Sequence, residues 1–179
     1  MALSLLRRKK NVPPDNVIEV VDGGNKPLLL MPERHVLRQN LRHRAVIVCL
    51  RNLAGDIFLH KRPAPDKHGE LWSLAASCRV LAGESRHAAA ERCLEAEQGI
   101  RDLELIEVAS IPSSPATRNA EATLFLTART SAIPQAGEGV FVDREELRAI
   151  LRDFPHMVTP FLSLAAPYIY PAGNRIPSR

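Results

Sequence analysis

Between Cys78 and Ile100 the chain reads CRVLAGESRHAAAERCLEAEQGI. Here carboxylates, thiols and an arginine fall at spacings that can do chemistry. On a helix, positions 93, 96 and 97 stand in an i, i+3, i+4 relation and share one face. That face offers the Cys93 thiol, the Ala96 methyl and the Glu97 carboxylate. At about 100° per residue, Glu95 points about 160° and Glu91 about 120° away from Glu97. Neither substitutes for it, and both suit an exposed acidic pair or bonds to neighbouring arginines. Mg2+ can be held by one or two carboxylates completed by phosphate oxygens of a substrate. Arg62 and Arg79 belong to expected strand ends beside this stretch and suit a phosphate, whereas a solvated loop explains Lys67. Arg92 next to Cys93 favours a thiolate, but helix neighbours diverge by about 100° and a free cysteine usually packs into the core.

The elements that must position these groups follow from pattern. Asn16 to Val21 is a β-branched run stopped by Asp22-Gly23-Gly24-Asn25, and Lys26 to Met31 returns, predicting a hairpin whose Pro27 confines it to an edge. Glu33 to Leu41 suits a short helix or turn, Arg44 to Leu50 a buried strand, and Ile57 to Lys61 a half-buried partner. A loop at residues 63–70 precedes extended structure at Leu71 to Ala76, which Gly83 breaks. Ser85 to Gln98 carries the strongest helix signal, with Ser85 as cap and Gly99 as stop. Strands are expected at Leu103 to Ile111, Ala122 to Arg129 and Val140 to Val142. Amphipathic helices follow at Arg144 to Phe154 and His156 to Ala166, separated by Pro155. The pattern predicts a mixed sheet with helices on both faces and no second domain.

The 78–100 stretch resembles the Nudix box, G-x5-E-x7-R-E-U-x-E-E-x-G-U with U apolar. Glu84, Arg92, Leu94, Glu97 and the Gly99-Ile100 pair keep its spacing, while Cys78, Cys93 and Ala96 replace the leading Gly and two of the glutamates. The resemblance implies a Nudix fold, an α/β/α sandwich around a mixed β-sheet, with an N-terminal hairpin and two C-terminal helices. In active members the box helix presents three carboxylates to a divalent metal that binds pyrophosphate and activates water. The arginine typically orients a neighbouring carboxylate. LRHRAVIVCLRNLAGDIFLHKR and ELWSLAASCRVLAGES further resemble the isopentenyl diphosphate isomerase branch, over roughly residues 16–130. The isomerase residues transfer poorly. The catalytic Cys falls at Ser77, one metal His falls at Arg79 and another at Val36, and of the two strand carboxylates, at Asn119 and Glu121, only Glu121 survives. His43 matches a metal His but reads as a hydrogen-bonded structural residue rather than a ligand. Trp72 reads as a packing anchor.

The resemblance therefore implies a hydrolase of a diphosphate linked to an organic moiety, dependent on Mg2+ or Mn2+. Glu84, Glu97 and Glu121 would be metal ligands, with Glu97, Glu121 and Arg92 in catalysis and Arg62 and Arg79 on the substrate. With two box carboxylates replaced, weak activity is expected. The alternatives are a catalytically silent ligand- or partner-binding module and, behind it, an isomerase.

Composition bounds these expectations. A chain of 179 residues supports one good core, and 45% apolar with 25% charged residues is a globular composition. No apolar run reaches the roughly eighteen residues of a membrane helix, and the order of charges in MALSLLRRKK is wrong for a secretory signal. Residues 1–15 read as a basic tail, 16–170 as one domain and 171–179 as a second tail. Arg7, Arg8, Lys9 and Lys10 account for the formal net charge of +4, and the few aromatics are not interleaved with basic residues, so neither nucleic acid nor membrane is an expected partner. Three cysteines without metal-ligand spacing fit a reduced, cytoplasmic setting. Substrate identity and oligomeric state stay open, since loops such as 63–70 and 112–121 set the former.

Overall fold

A computed structural model describes residues 16–61, 70–135 and 139–170. The expected tails, Arg62 and Lys67 lie outside the described residues. Nine strands form one mixed sheet among the described residues. β1 (Val17–Val21) and β2 (Pro27–Pro32) make the antiparallel N-terminal hairpin, with β2 at the sheet edge and Pro27 opening the strand. A proline there removes no central ladder bond. α1 (Glu33–Arg38) follows directly.

β3 (His43–Arg51) is the spine. It pairs antiparallel with β1, β4 (Ile57–Lys61) and β6 (Ala76–Arg79), and parallel with β8 (Ala120–Arg129). Its continuous apolar run suits a strand covered on both faces. Ala45, Ile47 and Cys49 enter one core cluster; Val46, Val48 and Leu50 enter the other. β7 (Leu105–Ile111) extends the sheet beyond β8, and β9 (Gly139–Val142) pairs with β4.

α2 (Arg86–Gln98) covers the Val46 face, whereas α3 (Arg144–Asp153) and α4 (Pro160–Ile169) serve the opposite one, giving the expected three layers. The Ser85 side chain accepts from the Ala88 N–H at 3.1 Å, and Gly99 takes a left-handed φ of 69° to end α2. A Cβ at Gly99 would run into the Gln135 side chain.

Two expectations are corrected. The extended stretch after Leu71 is two strands: β5 (Trp72–Leu74) pairs with β4, and past the wholly buried Ala75 the chain changes partner so that β6 pairs with β3. The last helix begins at Pro160, not His156. Pro155–Met157 form a separate 3-10 turn, and Thr159 supplies the cap by accepting from the Leu162 N–H.

Candidate functional site

The end of β6, the loop through Gly83 and the facing side of α2 bring the box residues together. Ser85 fixes where α2 starts and so which side chains look at β6. Glu97, in the last turn, accepts a hydrogen bond from the Ser77 backbone N–H at 3.0 Å. Its Oε1 also takes the Cys93 thiol at 3.6 Å, and its Oε2 lies 4.0 Å from the buried His60 Nε2. The carboxylate stays partly exposed, at 29% of its side-chain surface. Ser77 and His60 come from strands 20 and 37 residues upstream, and nothing in the spacing signals either contact.

Glu84 is held differently. Arg92 Nε and Nη2 reach its two oxygens at 2.7 and 2.9 Å, and the Leu81 N–H donates to it at 2.9 Å. The guanidinium beside Glu84 holds its carboxyl below the ordinary glutamate value. Arg92 also donates to the Arg79 carbonyl at 3.0 Å, tying α2 to the end of β6. Arg92, expected among the catalytic groups, thus sits as a positioning residue for Glu84.

Glu121 is the second residue of β8, opposite Arg44. Its oxygens accept from Asn25 Nδ2 at 2.6 Å and Arg42 Nη2 at 2.9 Å, so the hairpin turn and the lead-in to β3 occupy it. Arg79 ends β6 as expected, but its guanidinium lies 3.5 Å from the Glu33 carboxylate of α1. Glu91 faces His87, and Glu95 pairs with Arg101, on the solvent side of α2. His43 is buried, with its Nδ1 2.9 Å from the Leu41 carbonyl oxygen. Trp72 packs on the core with Lys61 Nζ 5.4 Å from its ring centre.

Cys78 and Cys93 both pack in the core layer between β6 and α2, where the Cys78 thiol donates to the Ala89 carbonyl and the Cys93 thiol to Glu97. The neighbouring Cys93 holds the Cys78 thiol below its ordinary value, whereas the closeness of Cys78 together with burial pushes Cys93 up.

No group of three or more His, Cys, Asp or Glu side chains among the described residues is arranged to hold a metal ion. The reason is chemical. Glu84 is neutralised by Arg92, Glu121 by Arg42, and on the α2 face a thiol and a methyl accompany Glu97. The three expected metal ligands therefore do not fit a resident metal centre. Glu97 is partly exposed, and the Ser77 backbone N–H holds its carboxylate where α2 meets β6.

The family model described as the NUDIX domain matches residues 41–162. The chain is 35% identical over 92 residues to the uncharacterized Nudix hydrolase PA4841 of Pseudomonas aeruginosa, a match covering 51% of this chain and 54% of that one. The matched segment thus spans about half the length of that curated relative. Among solved structures, DR0079 from Deinococcus radiodurans superposes with a TM-score of 0.73 at 18% identity, covering 86% of this chain and 99% of the other. A MutT protein from Methanosarcina mazei gives 0.52 at 19% identity, over 59% and 80% of the two chains. At such identities these likenesses speak for the fold alone. No helix among the described residues is long and apolar enough to cross a membrane.

Proposed function

The chain belongs to the NUDIX domain family, and on that premise we propose that it is a slow pyrophosphohydrolase acting on a diphosphate linked to an organic moiety. The observation that carries the proposal is Glu97: a partly exposed carboxylate, fixed by the Ser77 N–H where α2 meets β6. A divalent ion would arrive as part of the substrate, already bound to diphosphate oxygens, and Glu97 is the acid positioned to meet that complex. Mg2+ suits this role because it commonly keeps its waters and phosphate oxygens and takes only one or two protein carboxylates. Glu84 and Arg92 brace the loop at the start of α2. Slowness follows from Cys93 and Ala96, which bring no carboxylate to orient an attacking water.

The test is a panel of diphosphate-linked compounds incubated with the protein, with and without Mn2+. Metal-dependent cleavage that falls about a hundredfold or more in Glu97→Gln is expected, the scale of losing a positioned acid or base. Cleavage unchanged in that variant would refute the assignment of Glu97.

The second reading, a binding module without catalysis, is favoured by the engagement of Glu84 and Glu121 with arginines. Under it, ligand binding is indifferent to Mg2+ and no substrate is turned over.

A further inference from the structure

Two cysteines of the box pack in the layer between β6 and α2, and the proposed hydrolysis uses neither. Cys78 lies on β6 opposite Val46, on the face that packs against α2. Its Sγ donates to the Ala89 carbonyl at 3.5 Å. Ala89 is one helical turn before Cys93, and helical side chains lean toward the N-terminus. The Cys93 sulfur therefore lies over the same turn that Cys78 touches, and both side chains pack in the core cluster between β6 and α2. Their exposure differs in a useful way. Cys78 is half-buried, whereas Cys93 is 1% exposed. The third cysteine, Cys49, is buried in the cluster on the other face of the sheet.

We infer that Cys78 and Cys93 are a redox-modification site, a dithiol that a peroxide closes reversibly into an intramolecular disulfide. The Cys78 sulfur attacks one peroxide oxygen. The O–O bond breaks, water leaves, and Cys78 becomes a sulfenic acid. The Cys93 sulfur then attacks the Cys78 sulfur, the S–O bond breaks, a second water leaves and the S–S bond forms. Two thiols and one hydrogen peroxide give one disulfide and two waters, and a dithiol reductant reverses the bond. Closing it clamps β6 to α2 and removes the thiol proton that Cys93 gives to Glu97. The disulfide does not depend on hydrolysis, because it is read in the mass of the protein.

The full chain is treated with hydrogen peroxide, denatured, alkylated and mapped by mass spectrometry. Of the three thiols, two should be lost together, with the mass falling by two hydrogens, a peptide pair joining Cys78 to Cys93, and full recovery in dithiothreitol. Cys49→Ser should keep the link, and Cys93→Ser should abolish it. Overoxidation of Cys78 with Cys93 still alkylatable would overturn the proposal. So would a Cys78–Cys78 link between chains, or no thiol loss under conditions that oxidise free cysteine.

Discussion

At the level of single residues, each candidate acid is defined by the group that holds it. Arg92 grips Glu84, Arg42 grips Glu121, and the Ser77 N–H donates to Glu97. The Glu84–Arg92 relation was legible, because the Nudix box fixes their separation of eight residues. The Glu121 contacts were not, since Asn25 and Arg42 lie 96 and 79 residues away and only the tertiary fold brings them near. His60 escaped notice for the same reason: a histidine in an alternating strand carries no local mark of its neighbour across the sheet.

Buried His43 gives a pH signature. Desolvation foremost, with Arg79 and Arg118 adding to it, holds its imidazole below the ordinary 6.5, against the pull of the Leu41 carbonyl and Glu33. As pH falls, the unfolded chain takes up this proton first, so the stability contribution is complete above 6.5 and is lost as pH drops toward the folded value. Melting temperatures at about pH 7.5 and about pH 5 should therefore differ more in the wild type than in His43→Gln. Equal differences would show that His43 does not titrate in this way.

For the elements, caps were the most readable feature and partner changes the least. Ser85 and Gly99 announce the two ends of α2 because each residue type solves a backbone problem, an orphan N–H at one end and a positive φ at the other. The break at Ala75 has no such chemistry. It is an apolar residue in an apolar run, and only the competition between β3 and β4 for strand partners defines it. The start of α4 was misplaced because Pro155 signals a stop while Thr159, a β-branched residue, hides its capping role until the fold turns its hydroxyl to the Leu162 N–H. Gly99→Ala should cost about 1–2 kcal/mol, the price of a left-handed L-residue, with more added as Gln135 is displaced. Urea denaturation measures this, and an unchanged midpoint would contradict the assigned cap.

Across the whole molecule, the sandwich rests on strands buried on both faces. Leu124 of β8 is 0% exposed in the cluster that α4 caps. Leu124→Ala should destabilise by roughly 2–5 kcal/mol in chemical denaturation, the range for truncating a fully buried leucine; a loss below that range would mean the core closes over the gap. The three-layer plan was legible from alternation and helix spacing. The order in which strands meet was not, because β3 recruits partners from four different parts of the chain.

With two of its three expected carboxylates tied to arginines, the protein should not retain a divalent ion by itself but should accept one carried on a diphosphate. Calorimetric titration with Mn2+, in the absence and presence of a non-hydrolysable nucleoside diphosphate analogue, separates these states. Uptake should be weak alone, should strengthen when the analogue is present and should vanish in Glu97→Gln. Tight stoichiometric Mn2+ binding without the analogue, indifferent to that substitution, would mean that the cation sits elsewhere and that Glu97 is not its point of contact.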